Sequence, residues 1–218
     1  MTLLNLTPDE LLTTTRSVRR RLDLDRPVDL DVVEECLRIA QQAPSASNRQ
    51  TWHWLVVTDP DLRAGIAERY RRSWEAYKVA QSTTTPAPGQ VWSEERQATQ
   101  ARVSASAQYL ADNLHRVPVH VIPCLEGDEA TYPASMRAGY WGSLLPAAWS
   151  FMLALRARGL GAAWTTLHLV HAGEVAELLG IPPGITQGAL LPVAYTLGTD
   201  FRPAPREPLA SSLHLNGW

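Results

Sequence analysis

The sequence has few cysteines and almost no lysine, and both shortages limit what the protein can be. Cys36 and Cys124 are its two cysteines, too few for a disulfide framework or a four-thiolate zinc site. Lys78 is the one lysine, so arginine carries almost all of the positive charge. The formal net charge of −2 at pH 7 argues against a nucleic-acid binder that relies on bulk positive charge.

Long apolar runs and targeting signals are also missing. The longest apolar stretch, residues 144–155, is shorter than the ~20 residues needed to cross a bilayer, and it contains Pro146. Residues 1–15 lack the basic segment and apolar core of a secretory signal peptide. We therefore expect a cytoplasmic protein with no membrane partner and no nucleic-acid partner.

The sequence carries no recognisable catalytic or metal motif. It has no glycine-rich phosphate loop and no dinucleotide-binding fingerprint. His168 and His171 are three residues apart but have no third candidate ligand, so no metal site is predicted. Cys36 is interpreted as a buried small hydrophobe, and His53, which lies between two tryptophans, as a packing residue. No side chain is predicted to be catalytic.

Helix and strand patterns alternate along one predicted domain of 218 residues. Helices are predicted to begin near residues 8, 30, 60, 93, 135 and 172, and strands to cover residues 52–58, 117–123, 162–169 and 188–197. Pro118 favours an edge position for the second of these strands. About four strands covered by helices give an α+β fold.

Two further features suggest a partner subunit. The helix over residues 135–158 is apolar around most of its circumference, so it must be central or covered by a second subunit. Residues 199–218 form a proline-rich, extended tail that ends in Trp218 and has little to pack against in its own chain. Residues 82–89 are predicted to be a surface loop or hinge.

Three segments combine arginine with small polar residues in backbone that is not helical: residues 16–20 (RSVRR), 44–50 (PSASNRQ) and 202–206 (RPAPR). Arginine forks, hydroxyls and free backbone N–H groups suit a phosphate. Asn and Gln amides suit a polyhydroxylated chain or a flat heterocycle. Together the segments could hold a phosphorylated, polar, planar ligand, although each alone is equally typical of a solvated surface.

In order and spacing, the chain resembles the FMN-dependent nitroreductase family. The family's Arg-Ser-Val-Arg motif matches residues 16–19, and its Ala-Pro-Ser-x-x-Asn-x-Gln-Pro-Trp motif matches residues 43–52 with Thr51 in place of proline. Its Gly-Leu-Gly matches residues 159–161. Its Leu-Pro-Val-Gly-Tyr strand matches residues 191–195, with Ala194 in place of glycine, and a basic proline-rich tail follows.

The resemblance implies a small, mostly antiparallel sheet flanked by helices, in a homodimer with FMN at the subunit interface. The tail over residues 199–218 would wrap the partner subunit. Residues 81–115 match no family motif, and in such families this stretch shapes a variable lid or substrate channel.

The activity implied is that of an FMN-dependent oxidoreductase with ping-pong kinetics. NAD(P)H would bind transiently and reduce the flavin by hydride transfer at N5, and a nitroaromatic, quinone or similar electron-poor substrate would then be reduced. Two alternatives remain. One is another FMN redox enzyme of the same fold, such as a desaturase or oxidase, a dehalogenase or a flavin-fragmenting enzyme. The other is a non-catalytic flavin-binding protein.

The resemblance also assigns residues to noncovalently bound FMN. Arg16, Ser17 and Arg206 would bind its phosphate, and either Arg19 or Arg20 would face its pyrimidine ring. The loop over residues 44–50 would meet the ribityl chain and ring edge, and residues 165–167 would either line the isoalloxazine or form a plain buried strand. The full predicted set is Arg16, Ser17, Arg19, Arg20, Pro44, Ser45, Ala46, Ser47, Asn48, Gln50, Thr165, Thr166, Leu167 and Arg206.

Overall fold

A computed structural model describes residues 3–82 and 93–218, so most of the surface loop predicted over residues 82–89 lies outside the described residues. The helices are α1 (Pro8–Thr14), α2 (Leu30–Ala40), α3 (Pro60–Ser82), α4 (Glu94–Asn113), α5 (Ala134–Ala157) and α6 (Ala172–Leu179). The strands are β1 (Trp52–Val57), β2 (Val119–Glu126), β3 (Leu160–Ala162), β4 (Ile185–Gln187) and β5 (Leu191–Tyr195).

The helix starts follow local capping chemistry. Thr7 forms a capping box with Glu10 at the start of α1, and Asp29 accepts a hydrogen bond from the Asp31 backbone N–H at 3.1 Å to begin α2. Gly180 ends α6 at φ +65°, in the left-handed region that glycine adopts without strain. Each of these capping residues lies next to the helix end that it stabilises. The sequence alone therefore predicts these helix ends.

The strands form an antiparallel sheet in the order β1-β2-β5-β3, and β4 also pairs with the end of β2. The predicted edge position of the second strand is therefore wrong, because β2 is central. Its residues 119–121 pair with β5 and its residues 124–126 pair with β4. Pro123 falls between these two ladders, where the missing proline N–H breaks neither of them.

The strand predicted over residues 162–169 is also wrong. β3 ends at Ala162, Thr165 makes one isolated bridge to Leu190, and a 3₁₀ helix covers Leu167–His171. The predicted strand over residues 188–197 is shorter in the structure, and β4 just before it was not predicted. These strands are three to five residues long, too short for a clear two-residue period.

The sheet carries apolar side chains on both faces. Ile66 and Leu114 lie in the cluster beside α3 and α4, whereas Val33, Phe151 and Leu155 lie in the cluster between α2 and α5. α5 is buried on the side that faces the sheet and α2, but it also carries exposed apolar side chains, so neither of the two predicted alternatives is decided by one chain. In the residues that the structure describes, no helix is long and apolar enough to span a membrane.

Candidate functional site

The first motif lies along the outer edge of β3. Ser17 pairs in parallel with Ala162, and the Val18 N–H donates to the Ala162 carbonyl at 2.9 Å. The Ser17 Oγ accepts a hydrogen bond from the Trp164 N–H at 3.0 Å. These bonds fix the arginine-rich segment against residues 162–167, so two of the predicted site segments do meet.

The arginines of this segment surround a small cavity of about 230 Å³. We call it the arginine cavity, and it is lined by Arg16, Ser17, Val18, Arg19, Arg20, Arg21, Ser106 and Phe201. Arg21 pairs with Asp200 at 2.7 Å. Arg16 and Arg20 donate to the backbone carbonyls of Arg202 and Ala105, at 3.4 and 3.3 Å.

Among the described residues, Arg16, Arg19 and Arg20 have no carboxylate partner within 4.0 Å. Three adjacent guanidinium groups without a counter-charge repel one another and attract an anion. The arginine cavity is therefore suited to a phosphate group.

A larger cavity of about 700 Å³ adjoins the arginine cavity and shares Arg19 with it. This aromatic cavity lies between α3, α4 and the segment after β3. Its lining residues are Arg19, Tyr70, Trp74, Tyr77, Lys78, Gln100, Val103, Ser104, Ala105, Ala107, Gln108, Trp164, Thr165, Thr166 and Leu167. The predicted residues Thr165, Thr166 and Leu167 thus line a cavity and do not form a plain buried strand.

Burial changes the ionisation of two groups in the aromatic cavity. The Thr165 Oγ1 donates to the Tyr70 hydroxyl at 3.2 Å, and burial raises the pKa of Tyr70. Desolvation lowers the pKa of Arg19, although a guanidinium remains charged at neutral pH. Arg19 therefore presents a charge that is partly shielded from water at the boundary of the two cavities.

Gly161 packs closely against the arginine segment. A Cβ at this position would lie 2.8 Å from Thr196 Cγ2 and 3.0 Å from Val18 Cγ2. Both neighbours are β-branched and have little rotamer freedom. We expect Gly161→Ala to lower the free energy of unfolding in urea by about 1–3 kcal/mol. Gly173→Ala is the matched control, because its Cβ meets nothing within 4 Å and alanine favours the helix. Equal stability of both variants would contradict this account.

The second motif forms a strained loop before β1. Ser47, Asn48 and Gln50 all have φ near +53°, a conformation that costs residues other than glycine of order 1–3 kcal/mol each. Hydrogen bonds hold the loop in place: the Ala46 N–H donates to Ser143 Oγ at 2.9 Å, and the Gln50 N–H donates to Ser45 Oγ at 3.2 Å. Strain that is held in this way is typical of a binding loop.

The loop's side chains are exposed or half-buried, and the Gln50 amide donates to Asn48 Oδ1 at 2.9 Å. A cavity of about 480 Å³, the loop cavity, lies between this loop and the start of α5. Its lining includes Ala46 and Ser47 from the predicted set, together with residues that sequence reasoning missed: Arg49, Thr51, Leu125, Glu126, Gly127, Tyr132, Ser135, Met136, Gly139, Tyr140 and Ser143. Arg49 lies within the second motif, so the sequence could have indicated it as a lining residue of the loop cavity.

One protomer does not bring the whole predicted set together. The arginine segment lies at β3 and the strained loop leads into β1, and these are opposite edges of the β1-β2-β5-β3 order. Three strand spacings separate them by roughly 14 Å. The loop cavity shares no lining residue with the other two cavities. Arg206 is exposed and lines none of the three.

The histidines lie in different surroundings, some exposed and some fully buried. His53 is exposed, and its Nε2 lies 3.3 Å from Glu126 Oε1, so the prediction that it is a packing residue is wrong. It lies near the start of β1, which is an edge strand of the sheet. Among the described residues, no group of three or more His, Cys, Asp and Glu side chains could hold a metal ion.

His120 and His168 are fully buried and close enough to influence each other electrostatically. Burial lowers the pKa of His120 to about 4 and that of His168 to about 3, both from 6.5. The unfolded chain therefore binds more protons than the folded chain between pH 6.5 and 4. Stability is complete above pH 6.5 and falls as the pH drops through this window.

We therefore expect the free energy of unfolding to be lower at pH 5 than at pH 7. The His168→Leu variant removes one of the two buried imidazoles, so its loss over this interval should be smaller. Urea unfolding of both proteins at the two pH values measures the difference. An identical pH dependence in both would contradict the assignment.

Comparison with known proteins identifies the family. The model of the nitroreductase family matches residues 12–195, so the chain belongs to the nitroreductase family, and the family resemblance is confirmed. Proteins of this family are FMN oxidoreductases.

Three curated relatives differ in reaction. The chain is 25% identical over 213 residues to a putative NADH dehydrogenase/NAD(P)H nitroreductase of Archaeoglobus fulgidus, covering 96% of this chain and 97% of the relative. It is 30% identical over 164 residues to 5,6-dimethylbenzimidazole synthase of Rhodospirillum rubrum, covering 72% and 67%. It is 39% identical over 59 residues to iodotyrosine deiodinase of Drosophila melanogaster, covering 27% of this chain and 20% of that protein's length.

Solved structures confirm the nitroreductase-like fold. The FMN- and NADPH-dependent nitroreductase NfnB from Sphigopyxis sp. strain HMH is 20% identical, with a TM-score of 0.67 and coverage of 98% of this chain and 100% of that chain. Iodotyrosine deiodinase bound to FMN and 3-iodo-L-tyrosine is 23% identical, with a TM-score of 0.62 and coverage of 90% and 92%.

Proposed function

We propose that this protein is an FMN-dependent NAD(P)H oxidoreductase that reduces small, electron-poor organic substrates such as nitroaromatics and quinones. The observation that carries the proposal is the arginine cavity: three guanidinium groups to which the described residues offer no carboxylate partner lie beside Ser17, and one of them, Arg19, also lines the aromatic cavity. The NAD(P)H nitroreductase among the curated relatives supports the choice of electron donor.

The residues present fit FMN. Arg16, Ser17 and Arg20 offer charged and neutral donors to a phosphate, each charge-assisted bond contributing about 1.5–3 kcal/mol. Arg19 would face the pyrimidine ring, because it is the arginine that lines both cavities, whereas Arg20 is exposed and reaches towards α4. Thr165 and Thr166 would lie along the ring system.

Bound FMN supplies the two-electron chemistry, and the protein binds and orients the reactants. The positive charge of Arg19, where water is partly excluded, favours negative charge on a ligand beside it. The rings of Tyr70, Trp74 and Trp164 provide flat apolar walls that exclude water from a stacked substrate. No acid–base triad is required.

We also propose a homodimer in which the strained loop of one protomer completes the site of the other. The two halves of the predicted site lie at opposite edges of the sheet within one chain. Met136, Leu145 and Trp149 are exposed on α5, and Trp218 is fully exposed at the end of the tail. Soluble monomers rarely expose so much apolar surface, and a second subunit would cover it.

A second candidate function is supported by the 30% identity to 5,6-dimethylbenzimidazole synthase. In that case the protein would be another FMN redox enzyme of the same fold, with a different reaction. The fate of the reduced protein distinguishes the two, because a reductase passes its electrons to a quinone or nitroaromatic and returns to the oxidised state.

The test is the visible spectrum of the purified, FMN-reconstituted protein before and after anaerobic addition of NADH or NADPH. We expect the flavin absorption to bleach within seconds and to return on addition of one equivalent of a quinone. A protein that retains no flavin, or whose flavin neither nicotinamide reduces, would overturn the proposed function.

A further inference from the structure

The outer part of the aromatic cavity carries a charge pattern that the proposed function does not explain. α3 presents Tyr70, Trp74, Tyr77 and Lys78 to the cavity. Tyr70, Trp74 and Lys78 are four residues apart and Tyr77 is three residues after Trp74, so all four lie towards one side of the helix. Lys78 therefore lies about 12 Å beyond Tyr70 along the helix axis, two turns closer to the rim.

α4 forms the opposite wall with a matching stripe of Gln100, Ser104 and Gln108. The Trp74 indole N–H donates to the Gln108 side-chain oxygen at 2.8 Å and so connects the two helices. The rings of Trp74 and Tyr77 stack with centroids 5.7 Å apart. The cavity walls between the two helices are therefore formed by flat aromatic rings, and a hydrogen bond holds the polar edge of one of these rings in place.

The charges that line the cavity are of one sign. Arg19 lies at its inner end and Lys78 at its rim, and no Asp or Glu is among the lining residues that the structure describes. Lys78 pairs with Glu75 at 2.7 Å, and both side chains are substantially exposed. An ammonium group has three donors, and this exposed pair is weak, so the remaining donors can bind an anion.

We infer that the preferred substrate is a single-ring aromatic acid, which binds its carboxylate or phenolate to Lys78 and directs its reducible group towards Arg19 and Thr165. The inference rests on the proposed function for the reaction itself, but the recognition is a property of the cavity. Trp74 and Tyr77 would contact the ring, and Lys78 would determine specificity.

A redox-inert pair of ligands tests the recognition without turnover. We expect the FMN-reconstituted full-length protein to bind benzoate about ten-fold more tightly than benzamide in calorimetric titrations. Lys78→Met should abolish this preference, and Glu75→Gln, which leaves all three ammonium donors free, should increase it. Arg102→Met removes an exposed cation of α4 outside the cavity lining and should leave the preference unchanged.

Turnover provides the second measurement. The ratio of kcat/KM for 4-nitrobenzoate to that for 4-nitrobenzamide should fall about ten-fold in Lys78→Met. Equal binding of benzoate and benzamide, or a preference that survives Lys78→Met, would overturn the inference. A protein that binds benzoate as expected but reduces neither nitro compound would instead contradict the proposed function alone.

Discussion

A protein truncated after Glu207 should elute as a monomer or aggregate and should lose most of its FMN, whereas the full chain should elute as the proposed dimer. The removed residues include Leu213, Leu215 and Trp218, which are all exposed in one protomer. Burial of such side chains contributes about 1.5–3 kcal/mol each, so their loss removes much of the dimer's stability. Size-exclusion chromatography with light scattering measures the mass.

This truncation separates assembly from phosphate binding. It retains Phe201, over which Arg21 and Arg156 stack at 4.2 and 4.9 Å, and it retains Arg206. Any loss of FMN therefore follows from the missing partner and not from a missing arginine. A truncated protein that remains a dimer with full FMN content would contradict the predicted role of the tail.

Arg16→Ala should weaken FMN binding by about 1.5–3 kcal/mol, which is roughly ten- to a hundred-fold in Kd. The guanidinium of Arg16 donates to one backbone carbonyl at 3.4 Å and faces the arginine cavity, so it is available to a phosphate. Equilibrium titration of the apoprotein with FMN measures the change, and binding of riboflavin, which has no phosphate, should change much less.

Arg206→Ala should weaken FMN binding by a similar factor, because the family resemblance implies that the tail supplies a further phosphate ligand. Arg38→Ala is the matched surface control, since Arg38 pairs with Glu34 on the exposed side of α2. Unchanged FMN affinity in Arg16→Ala would remove the arginine cavity as the phosphate site, and unchanged affinity in Arg206→Ala would remove the tail from it.

The local parts of this structure were predictable from the sequence, and the long-range parts were not. The cap at Asp29 and the two motifs at residues 16–19 and 43–50 depend on neighbours a few residues away. The change of partner at Pro123 depends on β4 and β5, more than 60 residues later in the chain. No local pattern reports such pairing. The edge prediction rested on Pro118, which lies just before β2 begins at Val119 and is therefore not part of the strand.

The aromatic cavity illustrates the same limit. The helical spacing of Leu62, Ile66, Tyr70 and Trp74 on α3 predicts that they face inward, and Ile66 and Tyr70 are indeed buried. The same stripe continues into the cavity wall at Tyr77 and Lys78. Periodicity identifies the inward face of a helix, but it does not tell where the packed core ends and a cavity begins.

Subunit complementation determines whether each FMN site is shared between two protomers, as we propose. Homodimers of Arg16→Ala and homodimers of Asn48→Ala should each bind FMN weakly. A heterodimer of the two variants, isolated with two different affinity tags, has one site with both substitutions and one site with neither. We predict that this heterodimer, whose mass is twice the 24.1 kDa of one chain, regains one tightly bound FMN. A heterodimer that binds FMN as weakly as both parents would show that the two motifs act within one chain and would contradict the account.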